Sequence, residues 1–332
     1  MPRVLIPPTL SPATFAGRDA SGQIGGLEGR TMGTSWSAQL IARAADLPAI
    51  GAAIQETLDA IVAEMSPWEA NSAISRFNRA PPGSWHVLPP AFFHVLQAGM
   101  DVARSSGGAF DPAIGALVDL WGFGPSPLRP DLPTDADIAA ALATGGCARL
   151  ELDRPAQRVR QPGGLRLDLS GIAKGHGVDA VAERLLAIGL RHFLVEVGGE
   201  LRGEGIKPDG RPWWVAFEAP PGAQLLETRI ALHGLSVATS GDYRRYLDHQ
   251  GERLPHSLDP RTGRPCTGGL ASVTVLHPSC MIADAYATAL IVMGEREGPA
   301  FAEAEGLAAL FVSRTGDGFE ETLTPALAAM LD

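Results

Sequence analysis

Apolar positions recur at helical spacing in four stretches of the chain and alternate in several others. Ile50, Ile54, Leu58, Ile61 and Met65 share one face of a helix running from a cap at Asp46 to about residue 65. Phe93, Leu96 and Met100 predict a second helix over about 90–105, and Val178, Val181 and Leu185 a third. ADAYATALIVMG predicts a fourth, and Thr134 offers an N-cap to a shorter one. Trp36, Ala38 and Leu40 alternate as in a strand, and short β signals fall at about 148–152, 157–161 and 164–169. HFLVEVGGELRGEG reads as two strands meeting at Gly198–Gly199; WWVAFEA and LETRIAL continue the β pattern, followed by SVATSGDYRRYL, and the loop HSLDPRTGRP leads to the strand ASVTVL. The tail reads helix–strand–helix. Residues 1–29, rich in Pro, Gly and Ser, predict a flexible extended arm ahead of a domain over 30–332, and 124–133 a surface loop. No repeat occurs and βαβ alternation is not strict, so the predicted class is α+β.

Composition narrows what such a domain can do. The 332 residues are 45% hydrophobic and 19% charged, as in a globular protein. A net charge of −10 argues against a nucleic-acid partner, which needs a cationic face. Arg244, Arg245, Arg253, Arg261 and Arg264 form the one locally basic region, suited to an anionic ligand or simply to a solvated loop. Cys147, Cys266 and Cys280 lie far apart without metal-ligand spacing. No run reaches transmembrane length and no lipid-acceptor cysteine or proper signal region precedes the domain. The expected compartment is cytoplasmic for the chain as written, or periplasmic if an export signal was removed.

The chemistry concentrates in DLSGIAKGHGVDAVAE, residues 168–183. Asp168 precedes a turn in which Gly171 and Gly175 bracket Lys174, and a helix follows. Free N–H groups and a lysine at a helix start suit a phosphate; an ordinary glycine-containing connection with a solvated Lys174 is the plainer reading. In ADAYATAL, Asp284 and Thr288 stand four apart, which places a carboxylate and a hydroxyl on one helix face. That pair suits a hard cation such as Mg²⁺, or a polar helix start. HSLDPRTGRP carries His256, a candidate acid or base in a polar turn. Met32, Trp68 and Ala109–Asp111 offer a thioether, an indole and backbone amides to a flat heteroaromatic ring, or belong to the core.

Together these stretches make a longer pattern. MGTSW, MSPW…NSAISRFN, GGAFDPAIGALVDLWGFG, DLSGIAKGHGVD, VEVGGEL, SVATSGDYRRY, HSLDPRTGRP and ADAYATAL follow in that order. From about residue 30 to about 295 the chain resembles the FAD:protein FMN transferases, the ApbE-type flavin transferases. The resemblance implies a tunnelling-fold-like β-sheet core with flanking helices. It also implies Mg²⁺-dependent transfer of FMN from FAD to a Thr or Ser hydroxyl of an acceptor flavoprotein, with release of AMP; Mn²⁺ is the other candidate ion. By the same resemblance Asp284, Thr288 and the Gly171 carbonyl would hold the metal. Asp168, Lys174, Met32, Trp68, Ala109, Phe110, Asp111 and Leu258 would hold FAD, and His256, Asp284 and Lys174 would act in catalysis. Trp68 stands where the family commonly has Tyr, Ala73 replaces a usual Glu, Ala113 a usual Thr, and Glu196 an Asn or Asp; Ala287 supplies no oxygen where some members offer a carboxylate. A pyrophosphatase using water as acceptor, and a carrier that binds FAD without cleaving it, are the competing functions.

Overall fold

Eight antiparallel strands run side by side in the same order as they occur in the chain, making one large meander. They are β1 (Ile24–Thr31), β2 (Thr34–Ile41), β3 (Phe193–Val197), β4 (Glu200–Glu204), β5 (Leu235–Gly241), β6 (Leu270–His277), β7 (Ala308–Thr315) and β8 (Gly318–Leu323). This computed structural model describes residues 2–127, 131–249 and 252–332, so residues 128–130 of the expected 124–133 loop lie outside it. Helices enter through two long excursions from the sheet. Between β2 and β3 come α1 (Leu47–Met65), α2 (Pro90–Ser105) and α3 (Ala173–Ala187); between β6 and β7 comes α4 (Cys280–Ala304).

The alternation in β2 explains why the helices settle where they do. Trp36, Ala38 and Leu40 face one side and pair with Val197, Val195 and Phe193 of β3. On that side they meet Ile54 and Leu58 of α1 and Val178, Val181 and Leu185 of α3 in one buried cluster. The apolar face of α4 buries Ala283, Ala287 and Leu290 against Val273 and Val275 of β6 in an adjoining cluster. The opposite sheet face is covered by a three-stranded sheet of Arg3–Leu5, Thr228–Leu232 and Trp213–Ala216. Leu5, Ile230 and Leu232 pack there on Leu235, Val237 and Leu310. The class is α+β, a large antiparallel sheet flanked by helices. No helix among the described residues is long and apolar enough to cross a membrane.

Four expectations need correction. The first 29 residues are not an unpaired arm: Arg3–Leu5 pairs in parallel with residues 228–230, and β1 pairs with β2 along its whole length. Their Gly and Pro content concealed a strand whose inward side chains are few. Residues 164–169 form no ladder; the extended run is held by a side chain instead, as described below. Asp46 does not cap α1 with its side chain, because its carboxylate is engaged by Arg43 at 2.7 and 2.8 Å. The tail contains a strand pair, β7–β8, turned at Gly316–Asp317, where a single strand was expected. The fourth predicted helix ends at Gly294 as the sequence suggests: φ there is +77°, and a second helical stretch continues to Ala304.

Candidate active site

The starts of α3 and α4 cross so closely that each helix caps the other. The four first N–H groups of a helix lack internal partners and need acceptors from elsewhere. Gly175 N–H, at the start of α3, donates to Asp284 Oδ2 on α4 at 3.0 Å. In return Met281 N–H, at the start of α4, donates to Asp179 Oδ2 on α3 at 3.0 Å, and Ser279 Oγ–H donates to the same oxygen at 2.7 Å. Arg202 of β4 closes the second cap at 2.9 Å from Asp179 Oδ1. The approach requires glycine: a Cβ on Gly175 would lie 2.3 Å from the Cys280 carbonyl oxygen. The pattern of Gly175, Asp179 and Asp284 therefore fixes how the two helices cross, and so where Lys174 of α3 and Asp284 and Thr288 of α4 meet in one cleft.

Lys174 reaches into this cleft. Its Nζ ion-pairs directly with Glu200 Oε1 and stands 3.8 Å from Asp284 Oδ1. Glu200 begins β4 just after the Gly198–Gly199 turn, whose φ values of +61° and +106° favour glycine. Burial pulls the Lys174 ammonium down, but Asp284 and Glu200 outweigh it and hold the group above its ordinary value. Desolvation raises Glu200 to about 7, helped by Asp284 and opposed by Lys174. It also raises Asp284, against the pull of Lys174 and of the Gly175 N–H. Two carboxylates thus share one ammonium in a poorly solvated corner.

Beside them the Thr288 hydroxyl contacts Ser240 Oγ at 3.3 Å. The backbone at Gly171 comes so near that an added Cβ would sit 2.9 Å from Thr288 Oγ1. Asp284, Thr288 and Gly171 all line the same cleft. Among the described residues, the one ionic partner of Asp284 Oδ1 lies beyond hydrogen-bond distance, and Glu200 Oε2 is buried without a partner. No cluster of three or more His, Cys, Asp or Glu side chains suited to a metal occurs among the described residues. One carboxylate, one hydroxyl and one carbonyl nevertheless fit Mg²⁺, which takes few protein ligands and keeps positions for water or phosphate.

The other wall comes from irregular segments. Leu165, Leu167 and Leu169 are fully buried or nearly so, which gives the extended run its alternation. Its backbone pairs with a side chain: Leu167 N–H donates to Asn78 Oδ1 at 2.8 Å and Asn78 Nδ2 donates to Leu167 O at 2.9 Å. Asp168 N–H donates to Pro112 O at 2.9 Å, and its carboxylate accepts from Ser170 N–H at 2.8 Å. Burial raises the Asp168 carboxyl, offset by Ser170. Asn78→Ala would leave two buried backbone groups unpaired at about 1–3 kcal/mol each. A lower midpoint in urea is the expected result; an unchanged midpoint would show that the run needs no such clamp.

Ala109, Phe110, Asp111, His256 and Leu258 complete the lining from the opposite side. Asp111 is committed to structure, accepting from Ala113 N–H at 2.7 Å and Cys147 N–H at 3.0 Å. Desolvation raises its carboxyl, and those bonds oppose the rise. His256 Nδ1 lies 3.0 Å from the Arg245 carbonyl oxygen. Since a carbonyl only accepts, Nδ1 carries the hydrogen and Nε2 keeps a free lone pair. Two expected ligands stand apart. Met32 occupies the β1–β2 turn with φ of +49° and packs toward α1 and α3, outside the cleft lining. Trp68 is 58% exposed; the Arg245 guanidinium, which lines the cleft, lies 6.0 Å from its ring centroid. Sequence reasoning missed Glu200 and Ser240, and named Arg245 only as part of the basic region. All three were inside quoted stretches, and Glu200 could have been found as the acid that follows a diglycine turn.

The fold and cleft define an α+β protein with a candidate anion- and cation-binding site between α3, α4 and two central strands of the large sheet. The sequence model of the ApbE family matches residues 32–311, and this chain belongs to that family. It is 40% identical over 299 residues to the FAD:protein FMN transferase of Vibrio cholerae, covering 89% of each chain. It is 36% identical over 303 residues to that of Haemophilus influenzae, covering 88% and 87%. Among solved structures, the apo form of the flavinyl transferase ApbE of Pseudomonas stutzeri superposes with a TM-score of 0.86 at 38% identity, over 93% of this chain and 97% of that one.

Proposed function

We propose that this protein is a FAD:protein FMN transferase that cleaves FAD in the presence of Mg²⁺, transfers FMN to a Thr or Ser hydroxyl of an acceptor flavoprotein, and releases AMP. The observation that carries the reading is the convergence of Asp284, Thr288 and Gly171 beside Lys174 in one cleft of a chain with this family membership. A divalent cation held by Asp284, Thr288 and the Gly171 carbonyl would supply charge neutralisation for the pyrophosphate. Lys174, at the start of α3, attracts the phosphates. Asp168, Phe110 and Leu258 line the room left for the nucleotide. The acceptor oxygen forms a bond to the FMN phosphorus while the bond from that phosphorus to the AMP oxygen breaks. His256 Nε2 takes the proton of the hydroxyl.

Desolvation lowers His256 from its ordinary value, with the Arg245 carbonyl hydrogen bond opposing. The imidazole is therefore neutral through neutral pH. Transfer should be flat around neutrality and fall with acidification only below the ordinary histidine range. His256→Ala is expected to slow acceptor modification by about 10²–10⁴-fold with FAD still bound. An acid limb that survives this substitution would assign it to another group.

The direct test incubates the protein with FAD, Mg²⁺ and an acceptor flavoprotein domain, and reads the acceptor's intact mass while AMP is followed. A gain of one FMN, lost on chelation, supports transfer. AMP and free FMN without a gain would make it a pyrophosphatase, and bound FAD without products a carrier.

A further inference from the structure

We propose that Glu200 is a positioning residue that holds the Lys174 ammonium off Asp284, so that Asp284 Oδ1 stays open to a divalent cation. The inference rests on the metal reading above and adds a residue outside the proposed ligand set. Lys174 lies between two carboxylates and bonds to only one. Its Nζ is in direct contact with Glu200 Oε1, whereas Asp284 Oδ1 is 3.8 Å away. Both carboxylates are almost fully buried, at 3% and 4% side-chain exposure. In such surroundings an ammonium and a buried carboxylate attract strongly. Without Glu200, the lysine's nearest remaining anion is Asp284, and closing that gap would place the ammonium where a cation must bind.

The backbone is shaped for this arrangement. The Lys174 stem passes the Gly198–Gly199 turn, where a Cβ on Gly198 would lie 3.3 Å from Lys174 Cδ. Glu200 follows that turn directly, so the turn that admits the lysine also delivers its partner. Glu200 Oε2 is buried and has no partner among the described residues. A carboxylate so placed is a poor stabilising device, since one of its oxygens has lost water without gaining a hydrogen bond. Asp284 is anchored through its other oxygen, Oδ2, by Gly175 N–H, so only Oδ1 remains for either cation. Ammonium and metal therefore compete for one oxygen, and Glu200 biases the competition.

The test measures binding of Mn²⁺ alone to the full chain, from the loss of the free-ion paramagnetic resonance signal, so that no turnover is required. Glu200→Gln should weaken Mn²⁺ binding about tenfold or more, in the range seen for residues that orient metal ligands. Glu200→Asp, which keeps the charge but shortens the reach, should weaken it in the same direction by less. The deciding variant is the double substitution Lys174→Met with Glu200→Gln. Removing the competing ammonium should return affinity to near the wild-type value, an outcome that a merely structural role for Glu200 would not produce. Unchanged binding in Glu200→Gln, or no recovery in the double variant, would overturn the inference while leaving the metal reading intact. No Mn²⁺ binding by the wild type would instead remove the metal reading itself, and the role of Glu200 with it.

Discussion

Replacing Asp284 with asparagine should abolish acceptor modification, by about a thousandfold or more, without lowering the melting temperature. The activity loss follows if several kcal/mol of charge stabilisation depend on the carboxylate, since each ~1.4 kcal/mol is a factor of ten in rate. The stability result follows from burial. Desolvation raises the Asp284 pKa in the folded state, partly offset by Lys174 and Gly175. A carboxyl raised on folding binds its proton more tightly when folded, so its ionised form costs stability once pH exceeds the unfolded value. Asparagine removes that cost while its side-chain oxygen can still accept from Gly175 N–H, and Lys174 keeps Glu200. The melting-temperature difference between variant and wild type should therefore grow in the variant's favour as pH rises from acid to neutral. A melting temperature that falls at neutral pH would show that Asp284 serves the fold and not only the site.

Gly175→Ala should have the second largest effect, with a sign opposite to the usual helix rule. Alanine normally stabilises a helix by about 1 kcal/mol relative to glycine. Here the new methyl would sit 2.3 Å from the Cys280 carbonyl oxygen and 2.8 Å from Met281 Cα. Those are backbone atoms at the start of α4, and they cannot rotate away. The two helix starts must separate, at an overpacking cost of about 1–3 kcal/mol. The same movement stretches the Gly175–Asp284 hydrogen bond and displaces Asp284, where a shift of about 1 Å can cost roughly 100-fold in rate. Gly51→Ala in α1 is the control, because its Cβ would make ordinary contacts with the two Leu27 methyls, at 3.4 and 3.8 Å. Chemical denaturation should show Gly51→Ala neutral or stabilised and Gly175→Ala destabilised. Equal effects at both positions would refute the close-crossing argument.

The helices were legible because their signal is local. Ile50, Ile54, Leu58 and Ile61, and Val178, Val181 and Leu185, repeat at a period set by the helix itself, and burial follows whatever partner arrives. The same holds for Gly198–Gly199, since two glycines between alternating runs specify a tight turn wherever they fall. Thr134 is a similar case: its capping box with Asp137 needs only the four residues involved. The first 29 residues were misread for the complementary reason. Arg3–Leu5 becomes a strand because Thr228–Leu232, more than 200 positions away, offers an edge, and nothing in three residues announces that partner.

By itself the sequence determined most of the element types and the α+β class. Asp168, Gly171, Lys174, His256, Leu258, Asp284 and Thr288 were named as candidates from it, some only through the family resemblance, and the fold places all of them on one cleft. Glycines, carboxylates and a lysine in ordered stretches carry their chemistry as residue types. Only the tertiary structure decided how those groups divide their partners. It gave Asp111 to the backbone of Ala113 and Cys147, and put Met32 in a turn outside the cleft. It also set Glu200 against Lys174, with Asp284 left 3.8 Å away. Such assignments depend on which N–H, ammonium or carbonyl a distant segment brings within hydrogen-bond reach. Burial then sets how strongly each pair couples, and burial exists only once α3, α4 and β4 have packed.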